Sequence, residues 1–268
     1  MSQWRYASAS VRGTSHVESA QPCQDACRVE QVLTPEGEEF LVLIASDGAG
    51  SAPFSQEGSQ IVCQSLSEKL CRLIAGVWTP DQLTHGLARV YVHNVLKEIE
   101  QIARERGLAS RDFAATLLMA VVGDKYSVFA QLGDGAIVIN SSDGYSPVFW
   151  PQSGEYANMT YFVTSKTDIS QLQFKVVNQS VNEIALFTDG IQGLALQYEV
   201  KGAHQPFFKP LFSSLQQASA ETLSQMNDHL AALLGSERVN ERTDDDKTLV
   251  LAYRQSTSVA DESGYQES

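Results

Sequence analysis

Aspartate–glycine steps occur at Asp47, Asp134, Asp143 and Asp189, whereas 14 aspartates and 18 glycines placed at random over 268 residues would produce about one. Asp-Gly is a favoured hairpin turn, and for Asp143, in "SSDGY" between two strand-like runs, that reading suffices. It fits the others less well. "LVLIASDG" and "EIALFTDG" each run an apolar segment directly into the aspartate, and a helical stretch, not a returning strand, follows Asp47. A carboxylate at the end of a rigid strand is held accurately enough to serve as a ligand.

If Asp25, Asp47, Asp189 and Asp245 converged within ~5 Å, each pair would repel by about 3 kcal/mol at an effective dielectric near 20. Six such pairs would exceed the ~5 to 15 kcal/mol that stabilises a whole domain. Such a cluster therefore needs protons or bound cations, and donors that are all oxygen point to Mg²⁺ or Mn²⁺ at neutral pH. Zinc has no comparable support: the five histidines are scattered, and neither H-E-x-x-H nor C-x-x-C occurs.

The elements that would carry these residues are legible in outline. Alternation around Trp4, Tyr6 and Val11 and the run "FLVLIAS" (40 to 46) predict two strands, with "TPEGEE" as a turn between them. Ile61, Val62, Leu66, Leu70, Leu73 and Ile74 recur at helical spacing and predict a helix from Ser55 to about Ile74. A second helix is expected from Thr79 as N-cap and Pro80 at its first position to about Gly107. The character then changes. "FAATLLMAVVG", "YSVFAQLG", "AIVIN", "SPVFW", "MTYFVTS", "LQFKVV" and "EIALFTDG" read as a meander of short strands. A helix over 219 to 234 and a last strand "KTLVLAY" follow, the latter entered from the acidic run "ERTDDD". Helices and strands grouped along the chain, not alternating, indicate α+β with antiparallel sheets in a single domain over 1–255. The polar segment 256–268 reads as a disordered tail.

Composition narrows the partners. A formal net charge of -13 repels nucleic acid and anionic lipid. No apolar stretch reaches the roughly 18 to 20 residues that span a bilayer, and the N-terminus lacks the apolar core of a signal peptide, so a cytoplasmic location is expected. Cys23, Cys27, Cys63 and Cys71 are expected to be reduced, with Cys63 and Cys71 buried on one helix face.

The ordered set "CQDA" (23 to 26), "SDGAGSA" (46 to 52), "AATLL" (114 to 118), "GDGA" (133 to 136), "TDGI" (188 to 191) and "DDKTLVL" (245 to 251) resembles the metal-dependent protein phosphatases of type 2C, especially their compact bacterial branch. The resemblance spans residues 10 to 252. It implies a central antiparallel β-sandwich flanked by helices on both faces, a four-layer αββα arrangement, with a two-metal centre at one end. It further implies that Asp47 bridges both ions and that the Gly48 carbonyl is another ligand. Asp189 and Asp245 would hold the first ion, Asp25 the second ion or its waters, and Asp134 with Asp189 a third, weaker one. The implied reaction is hydrolysis of phosphoserine or phosphothreonine by direct attack of a metal-bridging water. The implied partners are a phosphorylated protein, such as a cognate Ser/Thr kinase or its target, and the chain is expected to act as a monomer. The segment from Ser141 to Thr167 is a candidate frame for the substrate cleft.

Three positions depart from the family pattern. Gln24 replaces a glutamate beside Asp25, Ala49 occupies the place of a histidine proposed as general acid, and Ala20 the place of a phosphate-binding arginine. His16 or Arg12 is the candidate for the phosphate-binding role, and leaving-group protonation would fall to a metal-bound water or another residue, with His16 as the catalytic candidate. The departures also support a rival reading, a non-catalytic binding or regulatory module on the same fold. A third reading is an unrelated α+β protein whose Asp-Gly steps are only turns.

Overall fold

The computed structural model describes residues 4–76, 82–153 and 160–255. Its strands are β1 (Trp4–Val11), β2 (Ala26–Leu33), β3 (Glu39–Ser46), β4 (Leu117–Val122), β5 (Ser127–Leu132), β6 (Ala136–Ser141), β7 (Gly144–Pro147), β8 (Gln173–Val177), β9 (Glu183–Phe187), β10 (Leu196–Gln197), β11 (Gly202–Ala203) and β12 (Lys247–Arg254). Its helices are α1 (Thr14–Glu18), α2 (Ser55–Ile74), α3 (His85–Glu105), α4 (Lys166–Ile169), α5 (Gln192–Ala195), α6 (Gln205–Gln217), α7 (Ala220–Ser224), α8 (Met226–Leu234) and α9 (Glu237–Asn240). Two five-stranded sheets, β1-β12-β9-β6-β7 and β2-β3-β4-β5-β8, pair antiparallel throughout.

Burial explains why the central strands read as unbroken apolar runs. Along β3, Leu41, Leu43 and Ala45 pack between the sheets against Ile137, Leu186 and Val250. The alternate residues Phe40, Val42 and Ile44 face the opposite way, into a second core with Val62, Leu66 and Leu70 of α2 and Val92 and Val95 of α3. A third core sets Phe208 and Phe212 of α6 and Leu230 and Leu234 of α8 against β9 and β12. The order of layers is therefore helix, sheet, sheet, helix. Every side chain from Phe40 to Ala45 enters one core or another, and a period-2 pattern has no solvent face to show.

Several expectations need correction. The run "MTYFVTS" forms no ladder over its described part, Thr160 to Ser165. Val163 makes one backbone bond to Ala115, and the Ser165 side chain then accepts from Asp168 N, turning the chain into α4. The helix over 219 to 234 is two helices broken at Gln225, and β2, α1 and α6 had no counterpart in the sequence reading. β2 is an edge strand whose residues are at most partly buried, so its apolar signal is weak. Pro206 and Pro210 argue against a helix, yet α6 takes one proline in its first turn and buries Phe208, Phe212 and Leu215.

The expected Thr79 cap and Pro80 lie outside the described residues, as does the 256–268 tail. Thr84 caps α3 by accepting from Leu87 N at 3.3 Å, and Gly107 ends the helix at φ +70. Asp143 sits in the tight β6–β7 turn between the paired residues Ser141 and Gly144. All four cysteines are free, Cys63 buried and Cys71 only partly so. Among the described residues no helix is long and apolar enough to cross a membrane.

Leu43 has no exposed surface and sits between the sheets. Leu43→Ala should therefore lower unfolding stability by about 2 to 5 kcal/mol. Urea denaturation followed by tryptophan fluorescence measures it, and a loss under ~1 kcal/mol would contradict a close-packed intersheet core.

Candidate metal centre

Strand register places the acids in two pairs. Ala26 stands opposite Ser46 in the β2–β3 ladder, so Asp25, one residue earlier, and Asp47, one residue later, meet at its end. Ala136 stands opposite Phe187 in the β6–β9 ladder, so two residues further along each strand Asp134 meets Asp189. Gly133–Gly135 is also where the chain crosses from one sheet to the other, which brings both pairs to the same end of the sandwich.

Neighbouring backbone locks Asp47 in place. Its N–H donates to Thr116 Oγ1 at 2.9 Å, its carbonyl accepts from Thr116 N at 2.8 Å, and Ser46 Oγ donates to the Thr116 carbonyl at 2.7 Å. Gly48 then bridges to Ala115 and Ala49 N donates to the Ala114 carbonyl, so "AATLL" is the clamp for "SDGAG". Gly48 is small because a Cβ there would lie 2.6 Å from the Ser55 carbonyl oxygen and 2.7 Å from that of Gln24. At Gly50, by contrast, a Cβ would meet only Gln24 Oε1, at an ordinary contact distance of 3.9 Å.

Carboxylate oxygens of Asp47, Asp134 and Asp189 lie within 4.8 Å of one another. Asp25 is 6% exposed and its Oδ2 accepts from Thr188 Oγ1 at 2.7 Å, while Thr188 Oγ1 accepts from Thr248 N at 3.0 Å. Neither Asp25 Oδ1 nor Asp134 Oδ1, both buried, has a partner within the protein. Burial pushes Asp25 up to about 7 against the pull of bonds from Thr188, Thr248 and Asp47. Burial, then the charges of Asp134, Asp245 and Asp25, brings Asp189 to about 7 as well. Asp47 is driven well up by burial and by Asp25, Asp189 and Asp134, and Asp134 is raised chiefly by burial. Buried carboxylates with unpartnered oxygens, and no histidine or thiolate among them, make a donor set that fits hard divalent cations.

The remaining candidates take different places. Asp245 is exposed and stands outside the tight group, its Oδ1 accepting from Asp246 N at 2.8 Å, although its charge still raises Asp134 and Asp189. Its neighbour Asp246, which the sequence reading did not single out, is 3% exposed. Asp246 accepts from Gly13 N at 2.6 Å and Gln24 N at 2.5 Å, and lies 2.9 Å from His16 Nδ1, an ion-pair distance without the alignment of a hydrogen bond. The clamp fastens α1 and the Gln24–Asp25 segment to the start of β12. Gly190 packs so closely on the Asp246 carbonyl that any Cβ would collide with it. Arg12 is exposed and donates to the Gln21 carbonyl at 3.2 Å, and Gln24 is buried with its Oε1 unpartnered. Thr116, Thr188 and Asp246 are the positioning residues that sequence reasoning missed. The advance sign was that all three lie inside the short motifs, Thr116 in "AATLL", Thr188 in "TDGI" and Asp246 in "DDKTLVL".

Comparison with known proteins gives concordant matches. A family described as Protein phosphatase 2C matches residues 12–235. Serine/threonine-protein phosphatase 3 of Escherichia coli (strain K12) is 37% identical over 253 residues, covering 93% of this chain and 98% of its own. Among solved structures, a bacterial serine phosphatase superposes with a TM-score of 0.64 at 15% identity, covering 95% of this chain and 99% of that one. Serine/threonine phosphatase Stp1 from Staphylococcus aureus gives 0.62 at 16% identity, with 96% of each chain covered. At those identities the two structures speak for the fold.

The raised carboxylates fix the sign of a pH effect. Asp25 and Asp189 rise from 3.8 to about 7 in the folded chain, so the stability they contribute is complete below pH ~4 and lost as pH climbs through 7. With chelator present, the melting temperature should fall by several degrees between pH 5 and pH 8, and a saturating divalent cation should flatten or reverse that slope. Scanning calorimetry at both pH values provides the check.

Proposed function

The chain belongs to the protein phosphatase 2C family and is a serine/threonine-protein phosphatase, and from that premise we propose that its carboxylate cluster is a two-ion centre for Mn²⁺ or Mg²⁺. In this reading Asp47 is shared by both ions. The Gly48 carbonyl, Asp189 and Asp245 serve the first and Asp25 the second, with Asp134 and Asp189 available to a third, weaker one. The observation that carries the proposal is the convergence of Asp47, Asp134 and Asp189 within 4.8 Å, beside buried carboxylate oxygens that have no other partner. When bound, the cations supply what the polypeptide lacks there: positive charge for phosphoryl oxygens and acidification of water at neutral pH.

The side chains do the rest. Thr188 holds Asp25 in one orientation, and the Thr116 clamp fixes the backbone on which Asp47 stands. With Nδ1 facing Asp246, His16 keeps Nε2 for the substrate, to hold a phosphoryl oxygen or to protonate the departing serine or threonine oxygen. That assignment compensates for Ala49. Exposed Arg12 has guanidinium N–H groups beyond the one bound to Gln21, and these are assigned to the phosphate in place of Ala20. The substrate is a phosphorylated protein, for which a Ser/Thr kinase or its target is the proposed physiological source. No feature of the comparisons favours a non-catalytic module.

Asp47→Asn should lower divalent-dependent hydrolysis of p-nitrophenyl phosphate and of a phosphopeptide by at least ~100-fold. It should also raise the melting temperature of the metal-free protein, since one repelling charge is gone. Near-native turnover by this variant would remove Asp47 from the centre, and activity indifferent to chelator would remove the centre altogether. His16→Gln separates binding from proton transfer: a general acid predicts a fall of about tenfold or more for a phosphoserine peptide. The effect should be small for p-nitrophenyl phosphate, whose leaving group needs no proton, and equal losses on both substrates would assign His16 to phosphate binding alone.

A further inference from the structure

Immediately beyond Asp189 the chain runs through a 3-10 turn (Asp189–Ile191) and α5 into the β10–β11 hairpin, whose tip is Tyr198 to Lys201. Two side chains brace this tip to the acidic end of the sandwich. The Tyr198 hydroxyl donates to Gln192 Oε1 at 2.5 Å, and Gln192 Nε2 donates to the backbone carbonyl of Asp134. Trp150 meets the Tyr198 ring edge-on at 5.5 Å between centroids. Burial, then the charges of Asp189 and Asp134, push the Tyr198 phenol up.

Despite this bracing, Tyr198 is 56% exposed and Val200 71%, the latter the most exposed large apolar residue among those described. Together with Gln197 and Glu199 they line an open depression of about 390 Å³. Scattered exposed apolar residues are ordinary on a protein surface. A tyrosine and a valine held out to solvent on a short hairpin, one glutamine away from the Asp134 backbone, form a different case. A phosphoprotein that delivers its phosphoryl group to the cluster must lay its chain across the neighbouring surface, and the hairpin tip, tied to the Asp134 backbone through Gln192, is one part of that surface.

We infer that the Tyr198–Val200 tip is a specificity surface that seats an apolar side chain of the substrate polypeptide, a few residues from the phosphorylated one. This rests on the phosphatase reading above and adds to it a preference for sequence context. Tyr198 and Val200 supply apolar contact. Glu199, the sole charged residue of the lining among those described, and the chain's overall charge of -13 disfavour an acidic residue at the same place. An extended peptide advances ~3.3 Å per residue, so four residues on either side of the phosphorylated one sample about 13 Å of surface around the cluster.

The test is a set of phosphothreonine peptides identical except for Leu, Gly or Asp at each of the four flanking positions on either side, assayed with the full chain and Mn²⁺. The expected result is a kcat/KM preference of at least fivefold for Leu over Gly at one or more positions, carried mainly by KM, with Asp the poorest. Val200→Asp and Tyr198→Ala should each cut that preference below twofold. Val200 is mostly exposed, so its replacement leaves the fold in place. A native enzyme that treats Leu and Gly alike at every position, or a preference that survives both substitutions, would overturn the inference while leaving the phosphatase reading intact. Failure of the native chain to hydrolyse any of the peptides would remove the phosphatase reading, and this inference with it.

Discussion

Mutual repulsion among carboxylates governs this molecule. Asp25, Asp47, Asp134 and Asp189 are drawn from four separate segments into one partly buried knot, where each close pair costs about 3 kcal/mol when both members are ionised. Without cations the knot persists by keeping protons: burial first, with Asp246 adding to it at Asp25, and with Asp134, Asp245 and Asp25 adding to it at Asp189, holds Asp25 and Asp189 up at about 7. In the proposed two-ion reading, divalent ions would remove the conflict by replacing those protons, and the crowding of the carboxylates would be the source of the affinity.

Holding that knot open is work for the whole fold. Two antiparallel ladders set the pairs by register alone, Asp25 with Asp47 and Asp134 with Asp189, and the face-to-face packing of the sheets then superimposes one pair on the other. Polar groups at the strand ends finish the placement: Thr116 grips the Asp47 backbone, Thr188 grips the Asp25 side chain, and Asp246 ties Gly13, Gln24 and His16 to the start of β12. None of these three needs to touch substrate to matter. A shift of one residue in either ladder would turn an aspartate to the wrong face.

Fold class, the long helix α2 and most of the strands were legible because they depend on local pattern: apolar spacing, turn chemistry and the end signal at Gly107. The failures have specific physical causes. β2 is a half-exposed edge strand and carries little apolar contrast. α6 tolerates Pro210 because its Phe208, Phe212 and Leu215 are buried against the sheet, and tertiary packing outweighs propensity. "MTYFVTS" has β-branched and aromatic residues but no neighbouring strand edge to receive its described part, and propensity without a partner makes no ladder.

At the centre the same division holds. Sequence alone determined which residues are the candidates for the chemistry: an excess of Asp-Gly steps at the ends of apolar runs, and six short motifs in family order, point to Asp25, Asp47, Asp134, Asp189 and Asp245 without coordinates. What only the tertiary structure decided is which of them meet. Asp134 joins the tight group with Asp47 and Asp189, Asp245 stands at its exposed rim, and the adjacent Asp246, chemically identical in sequence, is buried as a structural clamp. Three consecutive aspartates look alike to any local rule. They are told apart by long-range register and by which backbone N–H groups lie within reach, and both are properties of the packed sandwich.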